Sequence, residues 1–124
     1  HVEGQSFMIH QIRKMVGTAV YILRFGHEAD GVFARAFATG RVAIPTAPSV
    51  GLLLDRVLFA AYNKRAEHCK PIDFAGIEDE MEKFRMERIL PEVAARETRE
   101  NTTVKWVHDL TLCHSNWLGE ISKV

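Results

Sequence analysis

Ser6-Phe7-Met8-Ile9-His10-Gln11-Ile12-Arg13-Lys14-Met15-Val16-Gly17-Thr18-Ala19-Val20-Tyr21-Ile22-Leu23-Arg24-Phe25 is the stretch on which the fold turns. Met8, Ile12, Met15, Ala19 and Ile22 recur at steps of three and four, and Ile9, Val16, Val20 and Leu23 widen the stripe. This spacing predicts an amphipathic helix with a broad buried band. Ser6 is a favourable N-cap and Gly26 a favourable C-cap. A band so wide calls for a helix buried against a sheet. His10, Gln11, Arg13, Lys14 and Arg24 interrupt it too often for a membrane span.

Working outward, Val2 to Phe7 has extended character. Asp30 is placed to cap a second short helix, with Val32, Phe33, Ala36 and Phe37 as its apolar side. Pro45 and Pro48 make Ile44 to Ser49 a loop. Gly51 introduces Leu52-Leu53-Leu54-Asp55-Arg56-Val57-Leu58-Phe59, a strand candidate whose core face by alternation is Leu52 and Leu54, although so apolar a run does not fix the face. After Lys70-Pro71-Ile72-Asp73, residues 78–100 predict a charged helix with Met81, Phe84, Ile89 and Val93 inward, and Pro91 should kink or divide it. Thr102 or Thr103 caps a last helix containing Val104, Trp106, Val107 and Leu110.

The 124 residues are 47% hydrophobic and 26% charged, which suits a globular chain with a core and excludes a disordered or low-complexity one. Sixteen Lys and Arg balance sixteen Asp and Glu. Taken whole, that neutrality argues against a polyanion binder. The balance is a cancellation, however. Residues 1–70 hold nine basic and five acidic side chains, and residues 71–124 hold seven and eleven, so net +4 is offset by net −4. Cys69 and Cys113 form no Cys-x-x-Cys pattern, and free thiols in a reducing compartment are expected.

One side chain stands out physically. At 100° per residue Arg13 falls beside Ile9 and Val20, on the flank of the apolar band, whereas Lys14 falls on the polar side with His10, Gly17 and Arg24. A guanidinium at the edge of a core calls for a carboxylate or phosphate, or else lies along its stem and reaches water. Gly17 on the polar side would let another backbone or a ligand approach closely.

Other constellations carry less. None of the six histidines forms a His-x-x-x-His pair or joins a cysteine at ligand spacing, so no metal site is expected. Glu78, Asp79, Glu80 and Glu82 suit the first turn of a solvated helix better than acid–base chemistry. Trp106 and Trp117 could stack bases, but helical spacing with Leu110 puts Trp106 in a core. No glycine-rich phosphate loop or Ser/His/Asp arrangement occurs.

The run Gly4-Gln5-Ser6-Phe7-Met8-Ile9-His10-Gln11-Ile12-Arg13-Lys14-Met15-Val16-Gly17 resembles the signature of the TruA-type tRNA pseudouridine synthases, and most closely their eukaryotic multisite branch. Downstream, Val42-Ala43-Ile44-Pro45-Thr46-Ala47-Pro48-Ser49-Val50-Gly51-Leu52-Leu53-Leu54 is similar to the family's Val-Pro-x-Ala-Pro-x-x-Gly-Leu-x-Leu segment. Tyr62-Asn63-Lys64-Arg65, Lys83-Phe84-Arg85 and Ile89-Leu90-Pro91 add to the likeness.

The resemblance implies an isomerase that detaches uracil from its ribose at N1, turns it and rejoins it through C5, with no cofactor or metal. By that resemblance Arg13 supports the family's catalytic aspartate, Leu52 packs near the target base, and Phe7, His10 and Lys14 contact the RNA substrate. The implied fold is α/β (α+β), a mostly antiparallel sheet with helices packed on one face. Residues 1–70 would be the C-terminal half of the catalytic domain, and residues 71–124 an acidic helical extension packed on it. The implied partner is tRNA or another RNA, with no membrane, in an intracellular location for which nucleus and mitochondrion are both open.

The sequence departs from the family in one respect: its aspartate motif, Arg-Thr-Asp-x-Gly-Val-x-Ala, does not occur. Asp30-Gly31-Val32-Phe33-Ala34 lacks both the Arg-Thr and the residue between Asp and Gly. The chain is therefore expected to need the N-terminal half of its own domain and to be inactive alone. The alternative is a non-catalytic RNA-binding or protein-interaction domain that retains the fold.

Overall fold

The computed structural model describes residues 1–38, 43–65 and 70–112. Cys69, Cys113 and Trp117 thus lie outside the described residues. In chain order the elements are α1 (Gln11–Phe25), α2 (Ala29–Ala36), α3 (Ala60–Asn63), α4 (Glu78–Phe84), a π-helical turn (Arg85–Ile89), α5 (Leu90–Glu100) and α6 (Thr102–Leu112).

The expected sheet is not there: among the described residues no segment is a β-strand. A strand exists only through a neighbour that takes up its N–H and C=O groups. Residues 52–59 have no such neighbour among the described residues. Leu52, Leu53, Leu54, Val57 and Leu58 are all exposed, so alternation selects no face. The anticipated α/β class is therefore corrected to a helical one.

The chain divides into two compact units, one of His1–Ser49 with Asn101–Val124 and the other of Val50–Glu100. In the first unit, Tyr21, Ala47, Leu110 and Thr18 are buried. The Tyr21 ring stacks on His27 at 5.0 Å and tilts against Phe25 at 5.2 Å. Arg24 Nε donates to Thr111 Oγ1 on α6 at 3.0 Å. Trp106 and Val107 are half-buried on α6, and Val104 is exposed.

Helix α1 is present, but its start and its buried face differ from expectation. It begins at Gln11, not after Ser6. The Met8 N–H donates to Gln11 Oε1 at 2.9 Å, and the Gln11 N–H donates to the Met8 carbonyl at 3.0 Å. This reciprocal turn takes up the residues that the apolar pattern had assigned to the helix. Gly26 closes the helix at φ 66°, as its residue type suggests. The buried residues of α1 are Gly17, Thr18 and Tyr21, while Ile9 and Leu23 are 84% and 83% exposed. The face in use is the one Gly17 opens, because a missing Cβ admits a neighbouring backbone that no larger residue could.

Asp30 lies inside the first turn of α2 instead of capping it; Glu28 holds the cap position without a side-chain hydrogen bond. Its carboxylate there favours the helix dipole.

In the second unit, residues 78–100 are helical throughout, divided by the π turn just before Pro91. The Leu90 N–H reaches back five residues to the Arg85 carbonyl. Pro91 supplies no N–H and crowds the carbonyl four residues earlier, and a widened turn accommodates both. Met81, Ile89 and Val93 are half-buried as the pattern suggests, but Phe84 is exposed. Asn63 clamps the backbone of Ile72, donating to its carbonyl at 2.8 Å and accepting its N–H at 2.9 Å.

Candidate active site around Arg13

The first unit builds a seat for one guanidinium. Ala47 precedes Pro48, which biases it toward extended backbone and leaves its N–H and C=O outside any helix. Both meet Arg13. The Ala47 N–H donates to the Arg13 carbonyl at 3.0 Å, and Arg13 Nε donates to the Ala47 carbonyl at 2.6 Å. One turn along α1, the Pro45 backbone lies against Gly17 so closely that a Cβ there would sit 2.8 Å from the Pro45 carbonyl carbon. The Gly17 contact and the Ala47 clamp fix Arg13 along helix and loop together.

A second contact comes from His10, whose Nδ1 lies 3.3 Å from Arg13 Nη1. A guanidinium only donates, so in this contact Nδ1 is the acceptor. Neither partner of Arg13 is a carboxylate, and none pairs with it among the described residues. Guanidinium has five N–H groups, so two used leaves three. A half-buried cation held in place with its charge uncompensated is suited to a planar anion, which it can bind bidentately and keep ionised.

The other sequence-derived candidates are placed as follows. His10 and Arg13 are brought together. Lys14 shares their helical turn, its side chain exposed and its carbonyl accepting from Thr18 Oγ1 at 2.8 Å. Phe7 is half-exposed, with its ring folded over Gly4. Leu52 belongs to the second unit, where it is about as exposed as Phe7. Sequence reasoning missed Ala47, whose contribution is a carbonyl and carries no side-chain signature. The available signal was the pairing of Gly17 with a proline-flanked loop.

The sequence profile of a family described as tRNA pseudouridine synthase matches residues 1–60. Over 114 residues, 90% of the chain, it is 40% identical to the human protein named pseudouridylate synthase 1 homolog. It is 41% identical over 102 residues to the tRNA pseudouridine synthase 1 of Candida glabrata, and 45% identical over 82 residues to that of Saccharomyces cerevisiae. The chain belongs to the tRNA pseudouridine synthase family. It spans 26% of the human relative's length, 18% of the C. glabrata relative's and 15% of the S. cerevisiae relative's. The profile's range includes every candidate residue: Phe7, His10, Arg13, Lys14 and Leu52. Among the described residues no three His, Cys, Asp or Glu side chains group as metal ligands, and no helix is long and apolar enough to cross a membrane.

Proposed function

We propose that this chain supplies one wall of the uridine site in a longer enzyme that converts uridine to pseudouridine in tRNA. In that isomerisation the C1′–N1 bond breaks, the base turns, and a C1′–C5 bond forms; C5 loses a proton and N1 gains one. Atoms and electrons balance without a redox partner. Arg13 holds and keeps ionised a catalytic carboxylate contributed from outside this sequence. Phe7 and Lys14 meet the RNA.

The observation that carries this reading is the anchoring of Arg13 by a backbone carbonyl and an imidazole nitrogen, with no carboxylate of its own among the described residues. If the guanidinium only stabilised this chain, an acidic partner within it would be the economical arrangement. The test is pseudouridine formation in a tRNA transcript by the full-length enzyme carrying this region and by the 124-residue chain alone. Product from the first and none from the second is expected. Product from the chain alone, or none from the full-length enzyme, would contradict the proposal.

A further inference from the structure

The N-cap residue of α1, His10, is unusual on two counts. An N-cap is normally extended and carries a short hydroxyl, amide or carboxylate that bonds the first helical N–H groups. Here the position is held by a histidine at φ 60°, ψ 8°, with no side-chain cap bond. Only its carbonyl serves the helix, accepting the Lys14 N–H at 2.9 Å. For a side chain with a Cβ, the left-handed region costs about 1–2 kcal/mol. Such a conformation persists where surrounding contacts require it.

The imidazole has been released from capping and meets Arg13 instead, one helical turn on. Arg13 Nε is committed to the Ala47 carbonyl, which by itself would leave the guanidinium free to swing about that hydrogen bond. The His10 Nδ1 contact supplies a second point and fixes the plane. We infer that His10 is a positioning residue: its left-handed backbone aims Nδ1 at Arg13 and sets the orientation in which the guanidinium receives its carboxylate. This role rests on the function proposed above, and it differs from direct contact between His10 and RNA. A base or phosphate contact explains neither the backbone conformation nor an acceptor turned toward a permanent cation.

The test uses the full-length enzyme carrying this region, with tRNA turnover and tRNA affinity measured separately. His10→Ala removes the acceptor and should lower kcat by about tenfold, the scale of one hydrogen bond, with Kd for tRNA unchanged. His10→Gly deletes the imidazole while favouring the left-handed backbone. It should lose as much turnover with no loss of stability, separating positioning from folding. His10→Asn should recover most of the rate, because its Oδ1 lies two bonds from Cβ, as Nδ1 does, and asparagine tolerates this conformation. Weakened tRNA binding at undiminished kcat in His10→Ala would overturn the inference, as would an asparagine variant no better than alanine. Arg13→Ala serves as the reference. If it is inactive while His10→Ala turns over normally, the positioning role alone fails; if Arg13→Ala is itself fully active, the proposed site fails with it.

Discussion

Two arginines, one in each unit, are held in opposite ways. In the second unit Arg85 makes ion pairs with Asp55 and with Glu82, the latter at 2.9 Å, and so ties residues 50–59 to the helical run that follows. Its charge is matched on the spot. In the first unit Arg13 is held instead by a carbonyl and an imidazole, which orient a guanidinium without supplying a carboxylate. An arginine that joins two parts of a chain is best satisfied by carboxylates; one that must receive an anion from elsewhere is best satisfied by neutral acceptors. The contrast separates a charge-matched arginine from an unmatched one more sharply than burial does, because both are only partly buried.

The contrast can be attacked through the seat. Gly17→Ala places a Cβ against the backbone of Pro45, which cannot give way as a flexible side chain would. A loss of about 1–3 kcal/mol in thermal or urea unfolding is expected, as for overpacking generally, with a fall in turnover as Arg13 is displaced. A variant with wild-type stability and rate would show that the close approach is not needed. Arg85→Gln should do less. Both partners are part-exposed, so after solvent screening the loss is about 0–1 kcal/mol, shrinking as salt is raised, and turnover is unchanged. A turnover defect there as large as that of an Arg13 variant would erase the distinction.

The smallest effect concerns Tyr21, on the same helix as Arg13. Burial raises its hydroxyl above the ordinary value of 10.0. The unfolded chain then releases this proton first, so the folded state loses stability as pH rises past 10.0, until the buried hydroxyl also ionises. Below that range Tyr21 contributes no pH dependence. Thermal unfolding across alkaline pH should show this component in the wild type and lose it in Tyr21→Phe. An unchanged profile would mean that the ring is not held as described.

Much of this was legible in the sequence. Gly26 ended α1, the helical patterns of α2, of residues 78–100 and of α6 were evident, and Arg13 stood out with a glycine one turn away. The local rules failed where a distant segment decided the outcome. Apolar spacing assigned Ile9 and Leu23 to the interior, yet Gly17 and the Pro45–Ala47 backbone put the opposite face to use. A Met8–Gln11 turn occupies the stretch after Ser6, and the helix starts at Gln11. The run from Leu52 to Phe59 had strand composition, but composition supplies no partner for its backbone. Ala47 escaped notice because its role belongs to the peptide group.

The most direct test of the central claim is Arg13→Ala in the full-length enzyme carrying this region, with single-turnover pseudouridine formation and tRNA affinity measured on the same preparation. If Arg13 holds the catalytic carboxylate, the rate falls by about 10²–10³-fold, the scale for removing one preorganised charge-stabilising donor, while Kd barely moves. Equal losses in rate and affinity would make Arg13 a phosphate contact and contradict the account.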